Sequence, residues 1–316
     1  MSPDASVLIC CYTLDRWHDL GAAIDSVLAQ KPPPVELVVV VDHNPDLLDR
    51  LMAERPALAV VPNAGPRGLS GARNTGLKLV GGEIVAFLDD DARARPGWLT
   101  AHVAAYDDPR VLGVGGRLEP VWDTGRPGWF PHDFDWVVGC THTGLPVAPA
   151  VIRNPIGANM SFRTDVLREA GGFSEHLGRV GTRPLGCEET EASIRVTQRR
   201  PGGVVWYAPA AVVDHRVTAD RARWDYYRRR CWAEGWSKAT VRRLSQDPLG
   251  TERHYATRIL PRSFATALRH AIAGDRDSLA RAVAIAGGLG LTAMGYAAGH
   301  LDNRSERRHQ RLEEKP

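Results

Sequence analysis

Cysteine is scarce and unpatterned in this chain: five in 316 residues, an odd number, with no C-x-x-C pair. That excludes a disulfide framework. The adjacent Cys10 and Cys11, inside an apolar run, read instead as buried thiols of a reducing cytosol. Charge of one sign is lacking too. Forty basic against 37 acidic side chains leave a net charge of +3, which argues against a dedicated nucleic-acid binder. Neither G-x-G-x-x-G nor G-K-[ST] occurs, so no dinucleotide fingerprint and no P-loop is present. Only Met1 to Asp4 precede the first apolar run, and the expectation is a protein without a secretory leader.

Long apolar runs are nearly absent as well. Ala282 to Gly299 carries no formal charge and is followed by the basic stretch Arg304 to Arg311. It is built from Ala and Gly more than from Leu, Ile and Phe, so its insertion into a bilayer is poorly driven. The expectation is a small-residue helix packed on the domain or on a second subunit of a homodimer. The alternative is peripheral contact of a cytoplasmic protein with the inner face of the cell membrane, through a basic tail screened by salt.

What is present is an ordinary globular composition, 43% hydrophobic and 24% charged, in 34.6 kDa. Apolar strands at Val7–Cys10, Glu36–Val41, Leu58–Val61 and Ile84–Leu88 alternate with helical periodicity over Leu20–Leu28, Leu47–Leu51 and Leu69–Val80. This spacing predicts βαβ units and an α/β fold with a mostly parallel sheet. Residues 119–155 are rich in Pro and Gly with Trp122, Trp129 and Trp136, and predict a long functional loop. The pattern turns helical beyond Tyr207, which sets a division into residues 1–235 and a helical extension, 236–316.

The richest stretch is Ala86-Phe87-Leu88-Asp89-Asp90-Asp91, an apolar strand ending in three carboxylates. Ligands bind beyond the carboxyl ends of strands in open α/β sheets. Alternation sends Asp89 and Asp91 to one side, where a hard cation such as Mg²⁺ or Mn²⁺ relieves their repulsion. The plain alternative is an acidic turn, with Asp91 capping a helix that starts near Pro96. Asn63 to Gly76, with Arg73 and Asn74, is a small-residue loop running into a helix, either a nucleotide-approach loop or a simple connector. Glu188, Glu189 and Glu191 open a further helix. They suit the helix dipole, and one of them could serve as a general base. His215 follows an apolar strand as a metal ligand, a phosphate donor or a structural histidine. The Arg228-Arg229-Arg230 run reads as a phosphate-neutralising patch or as a solvated helix face.

In this order the motifs resemble the family 2 glycosyltransferases with the GT-A fold. Val-Leu-Ile-Cys-Cys-Tyr-Thr13 is similar to V-x-I-P-T-Y-N, and Val-Val-Val-Asp42 to V-V-D-D-G-S. Asn63 to Gly76 is similar to N-x-G-…-A-R-N-x-G, and Gly82 to Asp91 to G-E-x-I-x-F-L-D-D-D. Glu188-Glu189-Thr190-Glu191 departs from E-D-x-E by carrying Glu189 where Asp is common. The resemblance covers about residues 5 to 240. A narrower one is to enzymes that transfer a hexuronic acid to glucosyl-dolichyl phosphate. It rests on Gly115-Gly116-Arg117, Trp136 to Thr141, Asn159 to Arg163 and Glu234-Gly235-Trp-Ser237-Lys238.

The resemblance implies an inverting hexosyltransferase that uses a nucleoside-diphosphate sugar. Asp42 and Arg73, with Thr13, Asn74, Asp89 and Asp90, would bind the donor. Asp89, Asp91 and His215 would hold Mg²⁺ or Mn²⁺. Glu189 would be the base, with Glu188 and Glu191 as its rivals. The acceptor hydroxyl could belong to a lipid-linked sugar, a saccharide, a peptide or a small molecule, with no nucleic-acid partner. Other readings are a nucleotidyltransferase, for which the glycine loop after the first strand is missing, and a sugar-nucleotide-binding module without catalysis.

Overall fold

Short runs of Val, Ile and Leu with no polar alternation form the first strands, because those strands are covered on both faces. The computed structural model describes residues 3–179 and 185–313, with side chains through residue 302. The side chains of Arg304, Arg307, Arg308 and Arg311 lie outside the described residues. Strands β1 (Ala5–Cys11), β2 (Glu36–Val41), β3 (Ala59–Pro62) and β4 (Ile84–Asp89) are linked by helices α1 (Trp17–Leu28), α2 (Pro45–Glu54) and α3 (Leu69–Leu79). Then come β5 (Ala92–Ala94), α4 (Trp98–Ala104), β6 (Val111–Trp122), β7 (Ala150–Ile152), β8 (Asn159–Arg163), α5 (Thr164–Glu169), α6 (Glu188–Arg199) and β9 (Val204–Val217). Helices α7 (Trp224–Ser245), α8 (Gly250–His254), α9 (Leu260–Ile272) and α10 (Arg276–Glu313) complete the chain.

The sheet order is β3-β2-β1-β4-β8-β6-β9-β5, with β7 also on β9. Pairings among β1 to β4 are parallel, as is β6 with β9, whereas β8, β5 and β7 pair antiparallel. Strand β1 lies between β2 and β4, so the chain reverses its direction of winding there and leaves a crevice at the strand ends. Side chains of β1 alternate between two cores. Val7, Ile9 and Cys11 meet α1, α2 and α4, while Leu8 meets α3, α5 and α6.

Three expectations change. Asp91 caps no helix: β5 follows it directly, and Gly97 precedes α4. Residues 119–155 are not one long loop, since β6 continues to Trp122 and a short 3₁₀ helix spans His132–Val138. Their tryptophans are packed inward: Trp129 meets Trp224 and Tyr227 edge-on at 5.2 and 5.5 Å, and Trp136 donates its indole N–H to Tyr255. His215 lies within β9 rather than after it.

Helix α7 runs unbroken through Gly235, the expected boundary, and packs along α10. The approach is backbone to backbone. A Cβ on Gly235 would sit 1.9 Å from the Thr292 carbonyl oxygen, and one on Gly295 would sit 2.0 Å from that of Trp232. The Ala/Gly character of 282–299 therefore serves helix packing. Helix residues Arg276–Asp302 are still long and apolar enough to cross a membrane, and Leu279, Val283, Met294 and Leu301 are exposed along them.

Candidate functional site

Strand β4 ends at Asp89 in the crevice beside β1, opposite Cys10. The chain turns at Asp90 and Asp91 into β5, whose antiparallel register on β9 sets Ala92 against His215. The ladder continues where Arg216 N–H donates to the Asp91 carbonyl at 3.0 Å. Sheet register thus delivers His215 to the acidic turn, with Nε2 3.2 Å from Asp91 Oδ1. Asp89, Asp91 and His215 each offer an atom, all within 4.8 Å of one another. Two carboxylates and an imidazole suit a divalent cation that accepts oxygen and nitrogen ligands. The other ring nitrogen of His215 faces the Cys140 thiol at 3.7 Å, and Gly139, at φ 78°, leaves room for the ring.

Asp91 also meets Arg221 at 3.0 Å and Arg16 at 3.2 Å. Burial opposes its charge, but His215, Arg221 and Arg16 together hold it well below the usual carboxylate range. Asp90 behaves oppositely. Burial, against the pull of Arg16 at 2.6 Å, pushes its pKa up to about 6, and its Oδ2 has no hydrogen-bond partner among the described residues. Neither Arg16 nor Arg221 carried a sequence signal, because each reaches the site from a separate turn.

Arg73 joins two of the motifs. It is 2% exposed, and its guanidinium donates to Glu188 Oε1 at 2.8 Å, Asp89 Oδ1 at 3.2 Å and the Gly157 carbonyl at 3.0 Å. One side chain therefore sets the start of α6 against the end of β4. The three acids of α6 diverge from there. Glu188 is held by Arg73, and Glu191 is tied to Arg195 through two hydrogen bonds of 2.9 and 2.6 Å. Glu189 makes no ion pair among the described residues, and burial, with Glu188 beside it, pushes its pKa up to about 7.

At the end of β2, Asp42 accepts from Asn63 Nδ2 at 2.7 Å and from Gly68 N–H at 2.9 Å, so it organises the 63–68 loop. Thr13 caps the turn after β1 by accepting from Asp15 N–H at 3.2 Å. Asn74 gives both ends of its amide to the Phe173 backbone, each at 2.8 Å. In the arginine run, Arg228 and Arg229 turn to Asp225 on an exposed face, and Arg230 is buried 3.5 Å from Glu234.

The family model described as Glycosyl transferase family 2 matches residues 6–171. A glucosyl-dolichyl phosphate glucuronosyltransferase of Haloferax volcanii is 35% identical over 240 residues, 75% of this chain and 76% of that protein. The succinoglycan biosynthesis protein ExoM of Rhizobium meliloti is 27% identical over 237 residues, 72% of this chain and 71% of its own. Among solved structures, a mannosyltransferase from Pyrobaculum calidifontis in complex with GDP-mannose and Mn²⁺ superposes with a TM-score of 0.65. It is 19% identical, covering 94% of this chain and 88% of that one, and it supports the fold alone. With the sheet, the acidic strand end and these matches in agreement, the chain belongs to glycosyl transferase family 2 and is a glycosyltransferase.

Proposed function

We propose that this glycosyltransferase inverts the anomeric carbon of a nucleoside-diphosphate sugar and depends on Mg²⁺ or Mn²⁺. By kinship with the Haloferax volcanii protein, the first candidate reaction is transfer of a hexuronic acid to a lipid-linked glucosyl acceptor. The observation that carries the reading is the convergence of Asp89, Asp91 and His215, with Glu188 at the start of α6 joined to Asp89 through Arg73. A cation bound by these three supplies positive charge against the leaving diphosphate. Arg16 and Arg221 add fixed positive charge on the same side.

Asp42, which braces the 63–68 loop, and Thr13, in the turn after β1, are proposed to meet the nucleoside. Arg73, Asn74 and Asp90 frame the donor from behind. Glu189 takes the acceptor proton as the hydroxyl oxygen attacks and the bond to diphosphate breaks with its electron pair on the diphosphate. A base with a pKa near 7 is matched to neutral pH. Glu188 and Glu191 are held by arginines and fit the role less well. Family membership sets aside the nucleotidyltransferase and the binding-module alternatives. Residence is proposed to be cytoplasmic with peripheral attachment to the membrane, because the exposed apolar positions of α10 adjoin a basic stretch of sequence.

The test is thermal shift with UDP and GDP, each with and without Mn²⁺, followed by transfer assays with UDP-glucuronate and a glucosyl polyprenyl phosphate. Nucleotide should raise the melting temperature only with the cation, and Asp91→Ala should remove both that shift and most turnover. Normal turnover in EDTA, or by Asp91→Ala, would refute the metal reading.

A further inference from the structure

Helix α6 begins in an unusual way. Cys187, immediately before it, has φ 71°, the left-handed region that a residue with a side chain enters only at a cost of about 1 kcal/mol or more. The turn is held by α7. The buried Cys187 thiol donates to Glu234 Oε1 at 3.3 Å, and Gly186 N–H donates to Ser237 Oγ at 3.3 Å. Lys238, one turn further along α7 and 12% exposed, lies 3.4 Å from Glu234 and 2.9 Å from Glu252 of α8. Arg153 closes the far side of Glu252 with two hydrogen bonds. The segment carrying Glu189 is thus gripped from one side by Arg73 of α3 and from the other by α7, beyond the residues that the family model covers.

We propose that Glu234 and Lys238 are positioning residues for the transfer step: Glu234 fixes the left-handed turn from which Glu189 projects, and Lys238 sets the charge that Glu189 faces. This rests on the reading of Glu189 as the base. Among the described residues, the charged and titratable groups around Glu189 are Glu188 on its own helix, Cys187 before it, Arg73 from α3, and Glu234 and Lys238 from α7, with Arg230 of α7 3.5 Å from Glu234 behind the same turn. Arg73 is committed to Glu188 and Asp89. Lys238 is the cation from α7 that favours ionised Glu189, and Glu234 opposes it. The two residues therefore act in opposite senses on one carboxyl group.

That opposition separates positioning from a merely structural role. The titration midpoint of Glu189 is read by ¹³C NMR on protein labelled at the glutamate carboxyl, with the signal assigned by its loss in Glu189→Gln. Lys238→Met should move the midpoint to higher pH by about half a unit or more, and Glu234→Gln should move it lower, while Lys238→Arg keeps it near wild type. The acid limb of kcat for glucuronosyl transfer from UDP-glucuronate to a glucosyl polyprenyl phosphate should follow the same order. The donor KM should change less than twofold and kcat about tenfold.

Unmoved midpoints, or movement of both in one direction, overturn the proposal. If one variant fails to fold, the other decides alone, because each has its own sign. Failure of the underlying reading looks different: Glu189→Gln would then transfer normally even though the NMR midpoints shift as expected.

Discussion

Replacing Arg73 by Met should show how much the site depends on one buried guanidinium. Methionine keeps most of the apolar stem, which lies near Phe87 and Phe173, the guanidinium being 5.8 and 5.4 Å from their ring centroids. The loss is therefore mainly electrostatic. Glu188, whose side chain is 6% exposed, would lose its buried partner, whereas Asp89, at 30%, can turn to water. Breaking one side of a buried pair costs about 3–5 kcal/mol, and the half-exposed partner adds about 1 kcal/mol or less. Against the 5–15 kcal/mol typical of whole proteins, that is a large fraction.

Urea unfolding of wild type, Arg73→Met, Glu188→Gln and the double variant measures it as a cycle. The double variant should be more stable than Arg73→Met alone by about 1–2 kcal/mol, because no orphaned charge remains. A cost below about 1 kcal/mol for Arg73→Met, or simple additivity in the cycle, would refute the claim that this guanidinium joins α6 to β4.

Gly235→Ala tests propensity against packing. In an isolated helix the change gains about 1 kcal/mol. Here the new Cβ meets the Thr292 carbonyl at 1.9 Å, so a loss of about 1–3 kcal/mol is expected in urea unfolding, and a gain would disprove the close approach of α7 and α10. Glu189 carries a sign that can be checked by melting at two pH values. Its folded pKa, about 7, lies above the ordinary 4.5, so the stability it contributes is full below pH 4.5 and lost as pH rises through 7. Glu189→Gln should therefore be more stable than wild type at pH 8 and gain nothing near pH 4.5. Flotation with anionic liposomes should retain the protein at low salt and release it at high salt. Retention through alkaline washing would mark α10 as an integral segment.

The sequence by itself determined the parallel β1–β4 unit and the acidic end of β4. Buried parallel strands leave unbroken apolar runs, and three consecutive aspartates mark where the last run stops. It also marked 282–299 as a small-residue helix, since Ala and Gly are legible in one dimension. It did not supply the pairing of Ala92 with His215, which is a matter of sheet register across the chain. Nor did it separate Glu188, Glu189 and Glu191. Their order in sequence is the same whichever one is unpaired, and only the positions of Arg73 and Arg195 divide them. Arg16 and Arg221 lie in turns without pattern, and Lys238 on a helix beyond them; nothing local to any of the three points toward Asp91 or Glu189. Strand identity comes from short-range burial pattern and can be read along the chain. Charge environment depends on which distant side chains share one small volume, and only the folded chain decides that.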